Sequence, residues 1–171
     1  IELGLVGSEM CIRDSFTMPI HPLDKDYRKT LAEDREAFLL ADEIGFSEAY
    51  CGEHYTDAAE NITSSTVFIA SLAAATKNIR LGTGTVNLPN SHPAAVAGQI
   101  AMLDHMLDGR LNFGISPGGL ASDAEVFGNL EKNRNEMFVE CIDMVLEIWK
   151  RDAPYSICLL YTSPSPRDLA Q

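Results

Sequence analysis

The chain has 171 residues, 46% of them hydrophobic and 22% charged, the composition of a globular protein and too apolar to stay disordered. Asp and Glu outnumber Lys and Arg by 25 to 13, and the net charge of -12 argues against a binder of nucleic acid or anionic membrane, which needs clustered cations. No apolar run reaches the ~18 residues of a membrane-spanning helix. The four cysteines (Cys11, Cys51, Cys141, Cys158) have neither CxxC nor metal-ligand spacing, so a reducing, cytoplasmic compartment is the default expectation.

In chain order, the first segment differs in character from the middle of the chain. LVGSEMCIRD at Leu5–Asp14 resembles one translated strand of a transposase adapter used in sequencing libraries. CLLYTSPSPRD at Cys158–Asp168 resembles the other strand of the same oligonucleotide. Residues 1–15 and 158–171 are therefore expected to be adapter-derived, and residues 16–157 to carry the biological information. Without the charges of the end segments, the middle is still acidic, at -10.

Phe16–Pro19 reads as the end of a strand. Asp26–Ile44 comes next with Leu31, Phe38, Leu39 and Ile44 near a helical period, and Gly45 ends it as a C-cap glycine. Phe46–Cys51 is a short apolar run, expected to be a buried strand. One of Thr63, Ser64 and Ser65 is expected to cap a second helix that runs to Thr76. Ile79–Val86 is β-branched between glycines and reads as a third strand. Pro93 starts a third helix that Asp108-Gly109 stops after Leu107. Leu111–Ile115 is a fourth strand, followed by a glycine-rich turn at Pro117–Gly119. Asn133–Lys150 is the last long helix, with Met137, Cys141, Met144, Val145 and Ile148 on one face. Strands alternating with helices give parallel βαβ units with right-handed crossovers. The fold class is α/β, with about four βα units: a small open sheet, or half of an eight-fold barrel, since a complete barrel needs about 250 residues. Helices two and three are rich in alanine, with Ala70 and Ala73–Ala75 in one and Ala94, Ala95, Ala97, Gly98 and Ala101 in the other, which suits close helix–helix approach.

In a βα barrel the working groups lie just past the C-terminal ends of the strands. His54, after strand two, can serve as acid or base near neutral pH. Glu53 beside it could orient a ring or pair with an arginine. His92 reads as a helix-start cap, His105 as a surface residue, and Asp104 with Arg110 as an ion pair locking a turn. Gly82, Gly84, Gly118 and Gly119 would let backbone come close to a flat ligand. No HExxH-type spacing, P-loop, nucleophile elbow or dinucleotide fingerprint is present, so no metal site is expected.

Four motifs stand in one order: GEHYT (Gly52–Thr56), RLGTGTVNLPNSHP (Arg80–Pro93), LDHMLDGRLNFGISPGG (Leu103–Gly119) and SDAEVFG (Ser122–Gly128). Together they resemble the bacterial luciferase-like family of flavin-dependent monooxygenases, closest to the branch of alkanal and limonene monooxygenases, over residues 16–155. The resemblance implies the N-terminal half of a (β/α)8 TIM barrel and homodimers paired through helices two and three. It implies reduced FMN as cofactor, supplied by a separate NAD(P)H-dependent reductase, with O2 and an aldehyde, ketone or alkene as co-substrates. His54 matches an active-site acid/base. Gly84-Thr85 matches a non-proline cis peptide facing the flavin, with Gly118 and Gly119 in a cofactor-side turn. Ser116 takes the place of a reactive cysteine of luciferase. Pro117 replaces an arginine on the flavin phosphate there, a departure that argues against light emission. The phosphate-binding loops are expected after strands seven and eight. Two other readings stand beside this one: a deazaflavin-dependent oxidoreductase on the same barrel, and a non-catalytic flavin-binding half-barrel. The isolated chain is expected to bind flavin poorly, to turn nothing over and to aggregate.

Overall fold

In the computed structural model, residues 14–152 are described. Cys11, Cys158 and nearly all of the two end segments lie outside the described residues.

The first strand, β1 (Asp14–Thr17), begins two residues before the expected Phe16. It is followed by α1 (Tyr27–Glu43), β2 (Glu48–Cys51) and α2 (Ser65–Leu72). Next come β3 (Arg80–Thr83), β4 (Val86–Asn87) and α3 (Pro93–Met106). The chain then forms β5 (Leu111–Asn112), β6 (Ile115–Ser116), a short α4 (Ala121–Val126) and α5 (Arg134–Lys150). β1, β2, β3 and β5 form one sheet in sequence order, and every pairing is parallel. β4 and β6 continue β3 and β5 as a second parallel pair. All four strand units thus point one way, and their C-terminal ends share one rim.

Local chemistry sets the helix ends. Asp26 caps α1 by accepting from the Arg28 and Lys29 amides, Ser64 caps α2 through the Val67 amide, and Asn133 caps α5 through the Glu136 amide. His92 caps α3, its Nδ1 accepting from the Ala94 amide at 3.2 Å. Gly45, at φ +85°, takes the left-handed turn that leads α1 into β2.

Two strands are broken where the sequence suggests one run. Thr83 turns its side chain into the ladder: its hydroxyl donates to the Gly114 carbonyl at 2.7 Å and accepts from the Gly114 amide at 2.9 Å. A side-chain oxygen thus stands where a backbone partner would, and β3 and β5 both stop there. Only glycine fits at 114, since a Cβ would lie 2.1 Å from the Thr83 carbonyl oxygen. The Gly84–Thr85 peptide between β3 and β4 is cis, as the resemblance implies.

Ala49, Cys51 and Leu81 face the helices and pack with Phe38, Phe68, Ile69, Leu72, Leu103 and Leu107 in one core. A second core joins Val86 and Leu88 to Val96, Ala97 and Ile100 of α3 and to Cys141 and Val145 of α5. The opposite sheet face is polar low down, where the Tyr50 hydroxyl donates to Glu48 at 2.5 Å and accepts from Asn112 at 2.9 Å.

Two expectations need correction. The second helix ends at Leu72, not Thr76, so Ala73–Ala75 lie beyond it. Short i→i−3 bonds (Ala73 to Ala70, Ala75 to Leu72) tighten the chain there. Arg110 does not pair with Asp104 but donates to the Thr76 hydroxyl, the Thr76 carbonyl and the Ile79 carbonyl, pinning the turn between α2 and β3 instead. The small residues of α3 are used partly within the chain: Ala97 is buried under α5, and the Trp149 indole donates to its carbonyl at 3.1 Å.

Asp42 closes the α1–β3 corner. Its carboxylate accepts from the backbone amides of Lys77, Asn78 and Ile79 at 2.8–2.9 Å. Burial alone would raise its pKa, but those three donors outweigh it and hold the group below the ordinary aspartate range. Asp42→Ala strands the three amides and is expected to cost about 1–3 kcal/mol in a urea melt; a loss below a few tenths would show that water replaces the carboxylate.

Candidate active site at the strand C-terminal rim

The β2 strand delivers Gly52-Glu53-His54-Tyr55-Thr56 to the rim, and the segment after β6 brings Asp123 to meet it. Asp123 is 2% exposed and lies in the first turn of α4. Its Oδ1 accepts from the Tyr55 amide at 3.1 Å, the Thr56 amide at 2.9 Å and the Thr56 hydroxyl at 2.6 Å. Its Oδ2 lies 3.1 Å from His54 Nδ1. Burial raises the Asp123 pKa, but the bonds from Thr56, His54 and the two amides prevail and hold it low. An ionised carboxylate only accepts, so Nδ1 carries the proton of this bond and the neutral ring keeps its lone pair on Nε2. Nε2 faces Glu60, whose Oε2 is 3.6 Å away.

Glu53 departs from expectation, pairing with neither the imidazole nor an arginine. It is buried and accepts from the Ser65 amide at 2.8 Å and the Ser65 hydroxyl at 2.7 Å, at the start of α2. Burial pushes its carboxyl up, against the pull of those bonds. Glu53 thus anchors the loop that carries His54.

Ser116 is the centre of a second polar chain. Its hydroxyl accepts from the Thr85 hydroxyl at 2.8 Å and the Gly118 amide at 3.2 Å, and donates to Asn87 Oδ1 at 2.6 Å. This hydroxyl has no proton to spare and joins the ends of β4 and β6. Gly118, at φ +84°, turns the chain over Asn87, and its carbonyl accepts from Arg134 at 2.8 Å. Around Gly119 there is open space, whereas a Cβ on Gly84 would meet the Phe16 ring at 2.6 Å and one on Gly82 the Tyr50 ring at 2.2 Å. The glycines thus leave room for rings, and in this chain two of its own rings take some of it. Phe16 is 62% exposed on β1.

The structure therefore puts His54 on the same rim as Thr85, Ser116, Gly118 and Gly119. Asp123 and Glu60 escape a reading of the sequence. Asp123 sits in SDAEVFG, where an acid in a first helical turn is a signal in principle. Glu60 lies in an irregular loop and gives none. The two buried thiols are inert: burial pushes Cys51 up to about 12 and Cys141 up to about 11.

Comparison with known proteins gives the family and the fold. The family described as luciferase-like monooxygenase matches residues 14–162. 4-Hydroxyprotoasukamycin monooxygenase of Streptomyces nodosus subsp. asukaensis is 35% identical over 140 residues, covering 82% of this chain and 38% of that protein. Limonene 1,2-monooxygenase of Rhodococcus erythropolis is 36% identical over 131 residues, covering 77% of this chain and 34% of that protein. The oxygenating constituent of 3,6-diketocamphane monooxygenase from Pseudomonas putida, a type II Baeyer–Villiger monooxygenase solved with FMN, superposes with a TM-score of 0.82 at 27% identity. That superposition covers 90% of this chain and 44% of the other. The chain belongs to the luciferase-like monooxygenase family, has the fold of part of its barrel, and spans little more than a third of the length of these curated relatives. Among the described residues no helix is long and apolar enough to cross a membrane.

The Asp123 carboxylate should report on the integrity of the rim. Asp123→Ala is expected to speed exchange of the Tyr55 and Thr56 amide protons about tenfold or more, one lost hydrogen bond in each case. Its pKa is lowered on folding, so its stabilisation is complete above the ordinary aspartate value of 3.8 and is lost as pH falls through the depressed one. Hydrogen exchange at two pH values checks both; unchanged Tyr55 and Thr56 rates in Asp123→Ala would refute the bridge.

Proposed function

From the chain's place in this family, we propose that it is part of an FMN-dependent monooxygenase that transfers oxygen from O2 to a small organic substrate, and that His54 is its proton-transfer group. The observation that carries this reading is the His54–Asp123 pair on the rim that also holds Thr85, Ser116 and the Gly118-Gly119 turn.

The residues present fit a flat aromatic cofactor. The turn at Gly118-Gly119 carries no side chain, and the crowding at Gly84 comes from the exposed Phe16 ring and not from backbone. We infer that Gly84, Thr85, Ser116, Gly118 and Gly119 hold the isoalloxazine ring. Reduced FMN, when bound, supplies the oxygen-activating chemistry. The protein's tasks are to position the substrate, keep water out and move one proton. Asp123 fixes the His54 ring in one tautomer, so Nε2 is the nitrogen that accepts or donates the proton as oxygen reaches the substrate. The Ser116 hydroxyl, with its own proton held by Asn87, orients and does not attack. The name of the Pseudomonas putida relative, an oxygenating constituent, supports a separate reductase as source of the reduced flavin.

We also infer a homodimer through α2 and α3. Met102 on α3 is 61% exposed and follows the small exposed Ala94, Ala95 and Gly98 on that helix, and Val67 on α2 is 70% exposed. Val67→Asp with Met102→Asp is expected to convert the dimer to monomer in sedimentation velocity; a wild type that sediments as a monomer would dismiss the dimer.

The test of the activity is turnover by the full-length protein with reduced FMN, O2 and a panel of cyclic ketones, aldehydes and terpene alkenes. His54→Ala is expected to lower kcat/KM about 10²–10⁴-fold with flavin affinity unchanged. Turnover with a reduced deazaflavin, and none of the oxygenated product with reduced FMN, would overturn the reading.

A further inference from the structure

His54 has two ring nitrogens, and only Nδ1 is committed. Glu60, from the same loop, is the carboxylate that faces the other, with Oε2 at 3.6 Å from Nε2. That oxygen is buried and has no hydrogen-bond partner. Its backbone is held: residue 60 forms a bridge with Ile20, and the neighbouring Ala59 carbonyl accepts from the His21 amide at 2.9 Å. Burying a charged carboxylate without a donor is expensive, and the surroundings increase the cost. Asp57 on the loop and Asp123 on α4 both add negative charge, and His54, when it carries a second proton, opposes them. Burial, with these neighbours, pushes the Glu60 carboxyl above the ordinary glutamate range. Glu53, at the start of this loop, is occupied by Ser65 at the start of α2.

We propose that Glu60 is the proton-holding partner of His54: one exchangeable proton is shared between Glu60 Oε2 and His54 Nε2, and the loop around residue 60 is built to keep it there. The transfer is balanced within the pair. The O–H bond of Glu60 breaks, the Nε2–H bond of His54 forms, Nδ1–H stays on Asp123, and the net charge of the three groups stays at minus one. Glu60 thereby acts through His54, as a positioning and proton-supplying residue that touches neither substrate nor flavin. Its role rests on the reading of His54 as the proton-transfer group, while the coupling itself exists without any flavin.

The test is a pH titration of glutamate side-chain carboxyls by 13C NMR on the flavin-free full-length protein, with the Glu60 signal assigned by its loss in Glu60→Gln. The wild-type Glu60 midpoint is expected above that of the solvent-exposed glutamates. In His54→Gln it should rise further by about one pH unit, because the cation that favours the ionised form is gone. Should that variant not fold, the wild-type 15N spectrum decides: the His54 Nε2 resonance should respond across the Glu60 midpoint, as coupled sites do. A Glu60 midpoint equal to that of the exposed glutamates, or unmoved in His54→Gln, or an Nε2 resonance blind to it, would overturn the proposal. A full-length protein that oxygenates nothing would sink the monooxygenase reading and leave this titration unaffected.

Discussion

A carboxylate taken almost wholly out of water has to be surrounded by donors, and Asp123 is surrounded by donors from one loop. Tyr55, Thr56 and His54 all belong to the segment leaving β2, while Asp123 itself arrives after β6. These strands are not neighbours: β3, continued by β4, stands between β2 and the unit of β5 and β6. One side chain therefore ties together two non-adjacent strand units of the rim, over a sequence separation of nearly seventy residues. The bond also fixes the tautomer of the neutral His54 ring, since an acceptor on Nδ1 leaves the lone pair on Nε2.

The breaks in β3 and β5 serve the same rim. A strand that runs on unbroken presents only alternating side chains, and its backbone groups are consumed by the ladder. Here Thr83 replaces the ladder with its own hydroxyl, and the chain is re-aimed at Gly84 and Gly114. The consequence is a short second pair, β4 with β6, whose ends bring Asn87 and Ser116 together. The polar chain from Thr85 through Ser116 to Asn87 is thus a product of the interruption, and it saturates a hydroxyl that would otherwise be a candidate nucleophile.

What can be read in the sequence is what depends on near neighbours. The alternation of strands and helices, the caps at Asp26, Ser64, His92 and Asn133, and the left-handed Gly45 all stem from contacts within a few residues. His54 is visible because an imidazole just past a strand end is chemically rare. Its partners are not. Glu53 binds Ser65 and Arg110 binds Thr76 and Ile79 through tertiary approach that no spacing encodes. The six-residue α4 is too short to display a helical period, so an acid in its first turn is the one local sign at Asp123, and nothing local ties it to His54.

Three carboxyls crowd the neighbourhood of a single imidazole, and their environments keep them from competing. Glu53 is spent on the amide and hydroxyl at the start of α2. Asp123 is held ionised by four donors. Burial raises both Glu53 and Glu60, but Glu53 has the Ser65 donors, whereas Glu60 Oε2 has negative neighbours and no donor and faces the imidazole. Two further protons near the rim are closed off: the Cys51 thiol is pushed up to about 12, and the Ser116 proton is bound to Asn87. The carboxyl that faces Nε2 of His54 is Glu60, with Oε2 at 3.6 Å, and the proposed sharing of a proton across that gap would give the site its response to pH.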